Sequence, residues 1–243
     1  PNGLARSAGA LVVEIAIKIE SETDFSKFDG NEDGSVDVIV LIVEGWGIST
    51  EDNQFWPHMS VIHSSIIPEN VDIDNDGFLE FNGVSILKYI VIPEQYLENY
   101  NDPPPGLIHP IGTICHELGH VLGLPDLYDT SVNSAAGIGM WGLMGSGNWQ
   151  RQTSPAYMSA WSRYQLGFIN PIIIDDVQNA EEILLPAESG VLDIMAMILP
   201  MDFNMPQEYL ILENRQKLGA DINLIKSGLL VWHIDETITG MYP

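Results

Sequence analysis

With 243 residues and 45% hydrophobic side chains, the chain has room for one large domain or two subdomains and enough apolar content for a real core. Its 34 Asp and Glu against 9 Lys and Arg leave a formal charge of −25, which repels nucleic acid and anionic membrane and argues against either as a partner. A single cysteine excludes an intrachain disulfide framework, and no apolar run approaches the roughly 20 residues of a membrane-spanning helix.

No charged-then-apolar leader precedes Leu4, so any signal peptide or propeptide is expected outside this sequence. In residues 11–20, Val13, Ile15, Ile17 and Ile19 alternate with Glu14, Ala16, Lys18 and Glu20, a period of two that reads as a strand. Asp29, Asn31, Asp33, Ser35 and Asp37 come next, with Gly34 at the sixth position, and they have the spacing of the front half of a calcium loop. The closing Glu is replaced by Val40, so the pattern predicts a calcium-stapled turn heading an apolar strand over 36–44, in preference to an EF-hand. A plain acidic turn is the bland alternative. His58, in Trp56-Pro57-His58, and His63 are candidates for lining a cleft, although a loop histidine is more often structural.

Asp72, Asp74, Asp76, Phe78 and Glu80 repeat the calcium-loop spacing around Gly77, with Gly83 where the closing Glu belongs. This loop also precedes an apolar run, 84–92, and neither loop is followed by a paired helix that a switch could open. Three prolines at 103–105 bar a helix there, so the next helix should begin within 107–111 and run to Leu122.

That helix carries the chemistry. His116 and His120 are four residues apart on one face, close enough to grip one ion, and zinc suits the pair. Glu117, about 100° around the helix, flanks the ion and is placed to take a proton from an activated water. Gly123 can take the left-handed conformation that ends a helix, and Pro125 prevents its resumption, so Asp126 can return as third ligand. Elimination supports Asp126, since no Glu occurs from Val121 to Ala180 and no His between His120 and His233. The competing reading is a buried amphipathic helix whose histidines hydrogen-bond in a core. Cys115 lies on another face and reads as a small buried residue, and His109 is off the ligand spacing.

Residues 127–147 are glycine-rich and loop-like, and include Met140 and Met144. Ser154-Pro155 has the form of an N-cap followed by proline, predicting a helix that Gly167 ends. Tyr157 and Tyr164 in this segment are candidate hydroxyl donors to a transition-state oxyanion. Short apolar runs at 172–174, 183–185, 191–199, 209–213 and 228–234 predict antiparallel strands, a β-rich appendix beside the catalytic unit. The chain stops at 241–243 without a finishing element, as a truncated chain would.

HELGHVLGLPDLYD at 116–129, MWGLMGSGNW at 140–149 and SPAYMSAWSRYQLGF at 154–168 resemble the M6 metallopeptidases of the immune inhibitor A type, in the metzincin clan. FDGNEDGSVDVIVLIVEG upstream and EYLILENRQ and GLLVWHID downstream extend the resemblance over nearly the whole chain. It implies a secreted zinc endopeptidase acting on proteins or peptides, with Met144 as the Met-turn under the metal. It also implies an α+β, metzincin-like fold: a mixed twisted sheet with an active-site helix, plus a β-rich C-terminal part. The expected divisions are 1–123, with the zinc helix, 124–170, with the Met-turn and following helix, and a C-terminal extension over 171–243. For residues 11–20 the resemblance implies a helix, against the alternation, and helix is the preferred reading. The alternative function is a catalytically inactive, calcium-stabilised binding module on the same fold. A further rival is a zinc hydrolase of small amides or esters. Nothing in the pattern specifies an oligomer.

Overall fold

A computed structural model of the chain describes residues 7–46, 56–71, 76–95, 108–130, 135–150, 154–174, 196–201 and 207–237. It divides into two compact units, Pro1–His109 and Pro110–Pro243, both of mixed helix and strand. None of the described helices is long and apolar enough to cross a membrane.

The first unit opens with α1 (Ala8–Ile19), capped by Ser7, whose hydroxyl oxygen accepts from the Ala10 amide at 3.2 Å. The helix, and not the strand suggested by alternation, is therefore correct for 11–20. It buries Ala8, Gly9, Val12, Val13 and Ala16, a stripe that a period of 3.6 creates and a period of two would split between faces. Its contacts run to the sheet formed by β1 (Ile39–Trp46), β2 (His58–Val61) and the central strand Lys88–Gln95. Between β2 and that strand, β3 (Glu80–Phe81) and β4 (Val84–Ser85) form a hairpin turned by Asn82 and Gly83, with φ of 55° and 80°. The central strand is β5, parallel to β1 and antiparallel to β2, with Ile90, Val91 and Ile92 at most 2% exposed. An apolar run bare of charge is what a strand covered on both faces needs.

The second unit begins with α2 (Ile111–Val121), close to the predicted limits. Glycine-rich loop and short 3-10 turns follow, as expected, up to α3 (Ala160–Gln165). Here the prediction fails in part, because the helix starts at Ala160 with Ser159 as its cap, not at Ser154. Residues 154–159 are held instead by partners outside the segment, among them the Leu143 amide, which the Tyr157 carbonyl accepts at 3.3 Å in place of a helical partner. The Ala156 amide donates to the Gly147 carbonyl at 2.9 Å, the Tyr157 amide to Asp221 at 2.8 Å, and the Ser154 hydroxyl to the Ala220 carbonyl at 2.9 Å. Gly167 ends α3 as predicted.

The final sheet has the order β6 (Ile172–Ile173), β7 (Ala196–Pro200), β8 (Glu208–Arg215), β9 (Gly228–Asp235). β7, β8 and β9 pair antiparallel as predicted, whereas β6 pairs parallel to β7. The predicted runs at 183–185 and 191–195 lie outside the described residues. One sheet face packs Ala196, Ile198, Tyr209 and Ile211 against Ala160 and Ile169. The C-terminal strands thus share a core with the segment following the metal-site loop.

Candidate metal centre

α2 ends where the sequence requires. Gly123 takes φ +96°, its amide donates to the His120 carbonyl at 2.9 Å, and the Leu124 amide donates to the Gly119 carbonyl at 3.0 Å. The chain then turns back, and Asp126 comes to lie over the helix face that carries the two histidines. Asp126 Oδ1 is 3.0 Å from His116 Nε2 and 3.4 Å from His120 Nε2, and the two rings stand nearly perpendicular with centroids 4.7 Å apart. Among the described residues these three form the group of His, Cys, Asp or Glu side chains compact enough to hold one ion.

Both rings are oriented by main-chain carbonyls. His116 Nδ1 meets the Leu143 carbonyl at 2.8 Å and His120 Nδ1 meets the Leu124 carbonyl at 2.8 Å. A carbonyl can only accept, so each Nδ1 carries the hydrogen, and in the neutral ring each Nε2 presents a lone pair toward Asp126. Two lone pairs and a carboxylate oxygen aimed at one point repel one another unless a cation lies among them. The separations are those a zinc ion would accept: ligand atoms about 2.0–2.1 Å from a tetrahedral zinc lie roughly 3.3 Å apart, and the two contacts to Asp126 bracket that value. The chain therefore fits a bound zinc. A proton on His120 Nε2 is the competitor of a metal there: burial lowers the imidazole pKa, but a hydrogen bond to Asp126, the Leu124 carbonyl and the charges of Asp126 and Glu117 outweigh it and hold the pKa above its ordinary value.

Glu117 is buried beside this cluster, close enough for its charge to act on His120. Met144, fully buried, packs its sulfur against α2 at Gly119, where a Cβ would overlap it. The Met144 carbonyl accepts the Leu127 amide at 2.8 Å and so fixes the residue next to Asp126. An open cavity of about 830 Å³ starts at Asp126 and passes Leu127, Ile138, Trp161 and Trp232 to reach Asp235.

The remaining sequence candidates have contacts of their own. Tyr157 and Tyr164 are each more than a third exposed. Tyr157 stacks under the Arg163 guanidinium at 5.2 Å, and its main chain bonds to Leu143 and Asp221. Among the described contacts neither tyrosine hydroxyl meets the three ligands. His58 belongs to the first unit, where Nδ1 meets the Trp56 carbonyl at 2.7 Å and the ring abuts Tyr89. Cys115 is half-buried, and burial pushes its thiol pKa up, the environment of an unreactive side chain.

The calcium expectation is not supported. Asp29 accepts the Asp33 and Gly34 amides at 3.0 and 2.9 Å, Asp33 accepts the Ser35 amide at 2.9 Å and the Asn31 side-chain amide at 3.0 Å, and Asp37 accepts the Gly30 amide at 3.3 Å. The carboxylates thus close the turn on its own backbone and do not converge on a point. In the second loop Asp72 and Asp74 lie outside the described residues. Asp76 accepts the Phe78 amide at 2.9 Å and Glu80 accepts the Ser85 hydroxyl at 2.9 Å, local bonds of the same kind.

One cluster escaped the sequence reading. Arg215 is completely buried, with Nε and Nη2 each 2.6 Å from an oxygen of Asp221, and Glu213 lies between Arg215 at 3.4 Å and Arg163 at 3.0 Å. The signal was there in the alternation of β8: Tyr209, Ile211, Glu213 and Arg215 share one face, so an inward apolar pair predicts that the two charged residues also point inward.

A helix bearing H-E-x-x-H whose two imidazoles meet a returning carboxylate defines a metallopeptidase-type centre. The sequence model described as immune inhibitor A peptidase M6, catalytic domain, matches residues 24–172, and the chain belongs to that family. Two curated relatives, both described as pre-pro-metalloprotease PrtV, come from Vibrio cholerae serotype O1, strains M66-2 and ATCC 39315 / El Tor Inaba N16961. Each is 39% identical over 56 residues, a match covering 21% of this chain and 6% of the relative.

Proposed function

We propose that the chain is the catalytic part of a metzincin-type zinc endopeptidase, secreted, with His116, His120 and Asp126 holding the metal and Glu117 as general base. The observation that carries the reading is the meeting of Asp126 Oδ1 with both Nε2 atoms, 3.0 and 3.4 Å away, beside a buried Glu117. Zinc bound there supplies a Lewis acid that lowers the pKa of a water molecule and polarises a peptide carbonyl. The protein's own groups do the rest. Leu143 and Leu124 hold the imidazoles in the tautomer that exposes Nε2, and Met144 closes the floor under α2. The Glu117 carboxylate accepts a proton from the attacking water and hands it to the departing amine. Family membership supports peptide bonds as the substrate class, and the relatives' description as pre-pro-metalloproteases supports export. An inactive binding module is not favoured, since it has no physical need of Glu117.

Glu117→Ala tests the assignment. The variant should retain one zinc per chain and lose casein digestion by at least about a hundredfold, the lower range of general-base catalysis, while wild-type digestion should stop with phenanthroline. Proteolysis by the variant at the wild-type rate would refute the role of Glu117.

A further inference from the structure

We infer that Arg215, set by Asp221 and Glu213, is a positioning residue for His116, acting through main-chain hydrogen bonds that lead from the C-terminal sheet to the metal ligand. The inference rests on the metal reading above and concerns residues beyond the 24–172 span of the family match.

The links form a continuous path. Arg215 Nη1 donates to the Trp141 carbonyl at 2.8 Å, and Nη2 donates to the Tyr157 carbonyl at 3.4 Å. The Tyr157 carbonyl also accepts the Leu143 amide at 3.3 Å, while the Tyr157 amide donates to Asp221 at 2.8 Å. The Leu143 carbonyl in turn accepts from His116 Nδ1 at 2.8 Å. The guanidinium therefore grips the loop at Trp141, fixes the Tyr157 peptide that orients the Leu143 peptide, and so sets the plane and tautomer of the first imidazole. Asp221 holds Arg215 by both oxygens and is itself buried, and Glu213 is anchored by Arg163 and by the Trp232 indole at 2.7 Å.

Charge balance alone does not explain an arginine here. Two buried cations face two buried carboxylates, and such clusters can often be replaced by apolar side chains without loss of stability. An aliphatic residue, however, gives the Trp141 and Tyr157 carbonyls no donor. A lysine keeps the charge and can reach Asp221, but its compact ammonium cannot span a carboxylate and two carbonyls as the planar fork does.

The test compares the full chain as wild type, Arg215→Lys and Ile211→Ala, a buried position on the same strand face whose described contacts are apolar. Zinc affinity is measured by chelator competition, and the visible spectrum of the cobalt(II)-substituted protein reports ligand geometry. Ile211→Ala should lose stability yet keep the wild-type affinity and cobalt bands. Arg215→Lys should fold, bind zinc about tenfold or more weakly, as outer partners of metal ligands do when altered, and shift the cobalt bands. Wild-type affinity and spectrum in Arg215→Lys would overturn the inference, as would equal losses in Ile211→Ala. Should Arg215→Lys not fold, Asp221→Asn carries the same test, since it keeps an acceptor for Tyr157 while loosening the grip on Arg215; unchanged affinity and spectrum there overturn the inference too. A wild-type chain that takes up no zinc would sink the metal reading itself, a separate result.

Discussion

Gly119 and Met144 give the sharpest test of how the floor of the site is built. A Cβ at Gly119 would overlap the Met144 sulfur, come within 3.1 Å of its terminal methyl and touch Leu124 at 3.8 Å. Two opposing effects meet in Gly119→Ala. Replacing a helical glycine with alanine gains about 1 kcal/mol of propensity, whereas forcing a methyl into a packed core costs about 1–3 kcal/mol. Because Met144 is fully buried, its side chain has little room to give way, and overpacking should win by about 1 kcal/mol. Met144→Ala alone should cost about 2–5 kcal/mol through the cavity it leaves. In that background the clash is gone, so Gly119→Ala should become stabilising by about 1 kcal/mol. Guanidinium unfolding of the four zinc-saturated proteins reads the cycle, and the expected reversal corresponds to a coupling of about 2 kcal/mol. If Gly119→Ala stabilises both backgrounds equally, Met144 does not press on α2 and the floor reasoning is wrong.

Two further outcomes follow from local geometry and from a shifted pKa. Gly123→Ala meets no atom within 4 Å, so its cost should be backbone strain alone, about 1–2 kcal/mol at φ +96°; Gly123→Asn should cost visibly less, and thermal denaturation of the two ranks them. Burial, then the 2.5 Å hydrogen bond to Glu236 and its charge, push the Tyr209 phenol well above its ordinary pKa. The folded pKa is raised, so the stability this phenol contributes is fully present below about pH 10, its unfolded value, and is lost as pH climbs through the folded value. The stability gap between wild type and Tyr209→Phe should be constant from neutral pH to about 10 and narrow above it, as urea titrations at each pH would reveal.

What the sequence disclosed was what side-chain identity and spacing encode. The i, i+4 imidazoles, the glycine that ends α2 and the carboxylate three residues beyond it are local features, and the structure brings the three side chains together. In residues 11–20 the helix preferred on resemblance is the one that forms, and only the alternation pointed elsewhere, because Ile15, Ile17 and Ile19 add a period of two to a stripe whose buried members are Val12, Val13 and Ala16; tertiary packing chose between the periods. The 154–159 stretch looked like a helix start because proline and serine suit one, yet its amides serve Gly147 and Asp221, partners far along the chain. The acidic loops show a different limit: carboxylates at ligand spacing also suit turns that bind their own amides, and a spacing rule cannot tell these apart.

The least legible part of the site is also the part that aims it. His116 is oriented by the carbonyl of Leu143, His120 by that of Leu124, and Leu127, beside Asp126, is held by that of Met144. Every residue type has a carbonyl, so none of these roles leaves a mark on the sequence. They depend instead on the path of the 141–144 loop, and that path is fixed from outside by Arg215, held on strand β8 by carboxylates of β8 and the Gly219–Asn223 turn. In a chain with only 9 Lys and Arg against 34 Asp and Glu, placing two arginines in the interior takes cations from a surface short of them. The arrangement is understandable if the requirement was donors of fixed direction, because a guanidinium can orient several carbonyls at once and an apolar core cannot. Side-chain replacements that leave the loop path intact, such as Leu143 by another aliphatic, should therefore matter less to the metal than a change at Arg215, though Leu143 is the immediate neighbour of the ligand and Arg215 stands two hydrogen bonds further back.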